Sequence, residues 1–81
     1  MKFVSVKYHR PEIARDAYGG NAYTYKTQLP LNVGDKVFAP TKKEPMARAI
    51  VVDSEVPAES ISGAVLPILR EITQYDTEGI T

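Results

Sequence analysis

The residues of this chain whose types could do chemistry are basic side chains near its middle. Lys42 and Lys43 lie in a polar stretch between two prolines, with Lys36 before it and Arg48 after it. Four positive charges around one loop suit the phosphates of a nucleic acid, because phosphate contacts supply much of the affinity of such complexes. The sequence therefore predicts a nucleic-acid-binding loop built from these four residues.

Aromatic residues in neighbouring predicted strands could add to such a surface. Tyr23, Tyr25 and Phe38 carry rings that can stack on unpaired bases, and this kind of stacking tolerates any base. The same three residues could instead form the hydrophobic core while the lysines solvate a hairpin. The sequence leaves both interpretations open, and Tyr23 and Tyr25 are the candidates for base contact.

Catalytic and metal-binding chemistry finds little support. The chain has no cysteine and one histidine, His9, so a thiolate or multi-histidine metal site is not expected. Acidic residues occur close together only at 53/55 and 76/78, beside a predicted turn and in the tail, whereas paired-carboxylate catalysis needs a rigid cleft. We therefore expect a non-enzymatic protein with no metal and no cofactor.

The charge distribution and the hydropathy of the chain indicate the kind of partner and the compartment to expect. The net charge is zero, but residues 1–48 hold nine basic and four acidic residues, while residues 49–81 hold one basic and six acidic residues. This asymmetry fits a basic binding face with an acidic tail, or two halves that neutralise each other in one fold. The N-terminus does not fit a signal peptide, and no apolar run is long enough to span a membrane. We expect a cytoplasmic protein without membrane contact.

The elements that must position these residues are strands. Alternation of apolar and polar residues predicts strands at 2–8, 22–27, 36–39 and 46–53. Residues 9–21 are predicted to form a linking loop or a single helical turn. The predicted strand 46–53 has a nearly continuous apolar end, which favours burial of both its faces.

The connections between these strands have their own signals. Gly34 and Asp35 are predicted to form a tight turn before the strand 36–39, since glycine supplies the positive φ that such turns need. Residues 41–45 should form an exposed polar loop. Residues 56–63 are predicted to form a turn that can include one helical turn. Residues 66–75 fit a short helix or a strand, and we favour the strand because it would cover open sheet edges.

These elements predict an all-β fold. Its 81 residues suit one domain spanning 1–81. We expect a small SH3-like or OB-like barrel of about five antiparallel strands, with a short helix or turn and a frayed tail at 76–81.

Several segments in this order resemble a known family. The segments are Tyr23-Thr24-Tyr25-Lys26-Thr27, Val33-Gly34-Asp35-Lys36-Val37-Phe38-Ala39-Pro40-Thr41 and Ala49-Ile50-Val51-Val52. Together they resemble the N-terminal DNA-binding domain of the primosomal replication-restart helicase, and short phage and mobile-element proteins with the same barrel. The resemblance covers about half of the chain. It implies a small β-barrel that recognises the 3′ end of a DNA strand, with Tyr25, Gly34, Asp35, Lys42 and Lys43 at matching positions.

A second class of function is also compatible with a small β domain. An exposed strand edge could pair with a partner protein or with a second copy of the chain. An exposed basic hairpin with a solvent-facing tyrosine would favour nucleic-acid binding. A long uncovered strand edge would favour protein interaction.

Overall fold

A computed structural model describes residues 2–15 and 17–77, and strands dominate the structure. Six strands form one sheet: β1 (Lys2–His9), β2 (Tyr18–Thr27), β3 (Lys36–Ala39), β4 (Ala47–Asp53), β5 (Glu71–Ile72) and β6 (Gln74–Tyr75). Two short 3-10 helices, Ala58–Ser60 and Leu66–Ile68, lie between β4 and β5. The predicted all-β class is confirmed, and so is the helical turn within 56–63.

The sheet is open and mixed, so the predicted closed barrel of about five antiparallel strands is wrong. The strand order is β5-β2-β1-β4-β3-β6, and β5 runs parallel to β2 while the other pairs are antiparallel. Residues 66–75 do not form one strand, because Leu66–Ile68 is a 3-10 helix with Pro67 in its first turn, and strand structure is limited to Glu71–Ile72 and Gln74–Tyr75. The five residues 71–75 supply both edge strands, with Thr73 between them, and they are too few to join the two edges along their length.

The core lies on one face of the sheet and follows the predicted alternation. Its buried apolar side chains are Val4, Val6, Tyr25, Leu31, Val37, Ala39, Ala49, Val51 and Ile72. Burying one Val or Leu side chain contributes about 1.5–3 kcal/mol, so these residues account for much of the stability. The expectation that β4 is buried on both faces is wrong, because the side chain of Val52 is 37% exposed on the opposite face.

Strand β2 begins four residues earlier than predicted. It starts at Tyr18, so Gly19 and Gly20 lie inside the strand rather than in the linker. Gly20 has φ +87°, and the pairing of β1 with β2 shifts register between Val6 and Tyr8. A bulge with a glycine at positive φ lets the strand continue through this irregularity.

The predicted turn before β3 is confirmed. Gly34 has φ +96°, and its N–H donates to the carbonyl of Val51 at 2.9 Å. The Asp35 carboxylate accepts a hydrogen bond from the N–H of Asn32 at 2.8 Å. The turn therefore ties the start of β3 to the neighbouring strand β4.

Asp76, the first residue of the predicted frayed tail, is anchored to the sheet. Asp76 is 7% exposed, and its N–H donates to the carbonyl of Lys36 at 2.9 Å. Its carboxylate oxygens accept hydrogen bonds from Arg48 Nη1 at 2.8 and 2.7 Å. The prediction of fraying is thus wrong at Asp76, while positions 78–81 lie outside the described residues. No helix within 2–15 and 17–77 has the length and apolar character of a membrane span.

Candidate nucleic-acid interface

The loop between β3 and β4 presents two of the predicted lysines. Thr41 organises this loop, since its N–H donates to the carbonyl of Glu44 at 2.6 Å and its Oγ1 accepts from the N–H groups of Lys43 and Glu44. Lys42 and Lys43 are exposed, as predicted. Neither lysine forms a salt bridge with any described residue, so both charges are available to an anionic ligand.

Lys36 lies away from this loop. It pairs with Ile50 at the start of β3, whereas Ala39 and Ala47 pair at the loop end of the hairpin. Three residues of extended chain separate the two ends by about 10 Å. Lys36 is exposed but belongs to the far end of the hairpin, so the structure does not bring it together with Lys42 and Lys43.

Arg48 is engaged by other parts of the protein. Its guanidinium forms an ion pair with Asp76, with 2.7 Å between Nη1 and Oδ2, and lies 5.5 Å from the centroid of the Phe38 ring. Its side chain is 31% exposed, while that of Asp76 is fully buried. The charge of Arg48 is therefore compensated within the fold, and its main role here is to hold the C-terminal segment.

A groove of about 840 Å³ lies beside the basic loop, between the end of β1 and the start of β4. We call it the cationic groove, because Arg10, Lys43 and Arg48 line it, opposed by Glu44. Sequence reasoning missed Tyr8, His9 and Arg10 as members of this site. Their membership depends on the antiparallel pairing of β1 with β4, which brings distant parts of the chain together.

Internal contacts hold two of these additional residues in place. The Nε2 atom of His9 lies 2.7 Å from the carbonyl oxygen of Arg15, and the imidazole ring lies 5.6 Å from the Tyr18 ring. Arg10 forms a salt bridge of 3.4 Å with Glu12. Both partners of this bridge are about half exposed or more, so it contributes little to stability.

The two candidate tyrosines have different surroundings. Tyr25 belongs to the core, and its hydroxyl donates to the carbonyl of Pro40 at 2.9 Å and is hydrogen-bonded to the hydroxyl of Tyr8. Burial, with a smaller contribution from the Tyr8 hydroxyl, raises the pKa of Tyr25 well above its usual range. Tyr25 is therefore a core residue, as one of the two interpretations of the sequence expects.

Tyr23 is the solvent-facing member of the pair. It is 47% exposed, and its ring centroid lies 5.2 Å from that of Tyr8 with a tilt of 39°. Tyr8 lines the cationic groove, and Tyr23 packs beside Tyr8 on the side away from that groove. An exposed aromatic ring beside a basic loop is the arrangement that binds an unpaired base next to its phosphate.

A second groove, of about 360 Å³, lies on the other side of the tyrosines. Ala22–Tyr25 of β2 form one wall, and Val65, Ile68, Leu69 and Arg70 form the other. We call this the apolar groove, because Arg70 is the only charged residue among the described residues that line it. Tyr8 contributes to both grooves and separates them.

The described surfaces offer a small set of chemical groups. The described residues contain no group of three or more His, Cys, Asp or Glu side chains placed to hold a metal ion. The available groups are two free ammonium groups, an exposed phenol ring and backbone hydrogen-bonding groups. Comparison of the chain with family models, with curated proteins and with solved structures finds no match.

Proposed function

We propose that this protein is a non-enzymatic, cytoplasmic module that binds single-stranded nucleic acid or strand ends. The observation that carries the proposal is the continuity between the exposed lysine loop, the cationic groove and the Tyr8–Tyr23 ring pair. Lys42 and Lys43 contact phosphates, and Tyr23 stacks on an unpaired base. The bases of a blunt duplex are paired and stacked on each other, so Tyr23 has no unpaired base to stack on. Single-stranded segments therefore bind more tightly than blunt duplexes.

The number of free charges sets how the affinity depends on salt. Of the cations beside the groove, Arg10 and Arg48 are in ion pairs, which leaves Lys42 and Lys43 as the main phosphate contacts. For two neutralised phosphates on a single strand, the logarithm of the binding constant falls with the logarithm of salt concentration with a slope of about −1.4. The affinity then drops about sevenfold between roughly 50 and 200 mM salt.

Fluorescence anisotropy tests the proposal directly. The purified protein is titrated onto labelled oligonucleotides that are single-stranded, blunt, 3′-tailed or 5′-tailed, at both salt concentrations. We expect salt-sensitive binding to single-stranded and tailed DNA, and the family resemblance favours the 3′ end. No binding to any of these oligonucleotides at the lower salt concentration would refute the proposal.

Charge reversal locates the site. Lys42→Glu together with Lys43→Glu should abolish binding and leave the fold intact, because both side chains are exposed. The matched control reverses Lys7 and Lys36, which change the net charge equally but line neither groove. Binding that survives the loop variant, or that falls equally in the control, would remove the loop from the site.

Substitution of Tyr23 separates stacking from charge. Tyr23→Ala should weaken binding of single strands by at least about fivefold, since stacking of one base on an aromatic ring contributes about 1–3 kcal/mol. Tyr23→Phe keeps the ring and should retain the affinity. The salt dependence should be the same in both variants, because the lysines are unchanged.

A further inference from the structure

Strand β2 has an outer edge that is largely unpaired within the described residues. Its inner edge pairs with β1 from Tyr18 to Thr27, but β5 covers the outer edge only at Lys26 and Thr27. The N–H of Lys26 points outward and donates to the carbonyl of Arg70 at 3.1 Å. Because backbone groups alternate in direction along a strand, the N–H and C=O of Thr24 also point outward, and no described backbone group pairs with them there.

This open edge faces the apolar wall of the second groove. Ile68 is 74% exposed and Val65 is 41% exposed, although both are large apolar side chains. Together with Leu69 they stand opposite Ala22–Tyr25 across the apolar groove. An unpaired strand edge beside exposed apolar side chains is the arrangement in which proteins bind an extended peptide as an added strand.

The charge of the groove specifies the chemistry of the peptide. Arg70 is the one charged residue in the described lining, and it lies at the end where β5 begins to pair with β2. A guanidinium at the end of an apolar groove is suited to a carboxylate. We propose that the apolar groove binds an extended segment of a partner protein that carries an apolar residue beside an acidic group, with its backbone paired to Thr24.

The groove fits a flexible peptide better than the other possible occupants. A second copy of this chain that paired through β2 would bring a second 65–69 segment to the same edge. The glycine bulge at Gly20 also bends the edge away from a flat strand. For a nucleic acid, the described lining of this groove offers one cation, Arg70, whereas Lys42 and Lys43 are adjacent in the loop beside the cationic groove. This inference shares Tyr23 with the proposed function, but it rests on different features, the open edge of β2 and Arg70.

Selection from a library of random heptapeptides displayed on phage, with the full-length protein as bait, tests this inference. We expect the enriched peptides to share an apolar residue next to Asp, Glu or a free carboxyl terminus. A synthetic peptide from the selection should bind Ile68→Asp at least about tenfold more weakly than the wild type. Ile68 is mostly exposed, so this variant keeps its fold.

Three further readouts decide between the alternatives. Arg70→Glu should reverse the selected charge, so that basic peptides are enriched. The peptide should slow hydrogen exchange of the Thr24 amide, and the Lys42→Glu/Lys43→Glu variant should bind the same peptide unchanged. The inference is overturned if no peptide is enriched, if selected peptides bind Ile68→Asp equally well, or if the Thr24 amide stays unprotected. Displacement of the peptide by a single-stranded oligonucleotide in that lysine variant would instead assign the groove to nucleic acid.

Discussion

Removal of the Asp76 carboxylate should destabilise the whole sheet. Asp76 follows the edge strand β6, and its fully buried side chain accepts two short hydrogen bonds from Arg48 on β4. Asp76→Ala leaves a partly buried guanidinium without its carboxylate. Breaking a fully buried ion pair costs about 3–5 kcal/mol, and the partial exposure of Arg48 lowers this to about 2–3 kcal/mol.

Thermal unfolding followed by circular dichroism measures this loss. For a domain of this size, about 2–3 kcal/mol corresponds to a decrease in Tm of roughly 10–20 °C. Arg48→Ala alone mixes two effects, because it also removes the contact with the Phe38 ring. A double-mutant cycle with Asp76→Ala, Arg48→Ala and the double variant isolates the energy of the pair.

A coupling energy below about 0.5 kcal/mol would refute this reasoning, because that is the value of an ordinary surface salt bridge. Asp76→Asn provides a second check, since it keeps the size of the side chain and removes the charge. If Asp76→Asn unfolds at the wild-type temperature, the charge of Asp76 does not hold the C-terminal segment.

Two other predictions concern the turn and the buried phenol. Gly34→Val should lower the free energy of unfolding by about 1–3 kcal/mol, because valine is strained at the positive φ of this position. A side chain at Gly34 meets no described atom within 4 Å, so a clash does not contribute, and Gly63→Val, which is equally open, should change the free energy by under about 0.5 kcal/mol. Equal urea midpoints for the two variants would disprove the turn. Tyr25→Phe should cost about 1–2 kcal/mol, since the Pro40 carbonyl loses its donor. Because the pKa of Tyr25 is raised in the folded state, its contribution to stability is complete below about pH 10 and is lost as the pH rises above that value. Urea midpoints at about pH 8 and pH 11 should therefore differ less for Tyr25→Phe than for the wild type, and an unchanged difference would disprove the assignment.

Local signals predicted the elements that local chemistry determines. The strand Lys36–Ala39 was delimited by its own neighbours, since Gly34 and Asp35 form the turn before it and Pro40 follows it. The exposure of Lys42 and Lys43 also followed from their position between prolines. These features depend on residues within a few positions of each other, so the sequence displays them directly.

Features that depend on distant residues escaped sequence reasoning. Asp76 looks like part of a solvated tail until Arg48, 28 residues earlier, is placed beside it. Tyr8 joins the candidate site only through the pairing of β1 with β2 and β4. Gly20 resembles the end of a loop, because a glycine at a strand bulge and a glycine after a helix share the same conformational freedom.

The five residues that supply both edge strands link the two ends of the sheet. Detachment of 71–75 uncovers β2 and β3 in the same event, because β5 and β6 are consecutive in the chain. A molecule opened in this way is bivalent: its released segment can complete the sheet of a neighbour, while its own sheet accepts the segment of another. Such an exchange need not close into a dimer, so conditions that loosen this segment open a route to domain-swapped polymers.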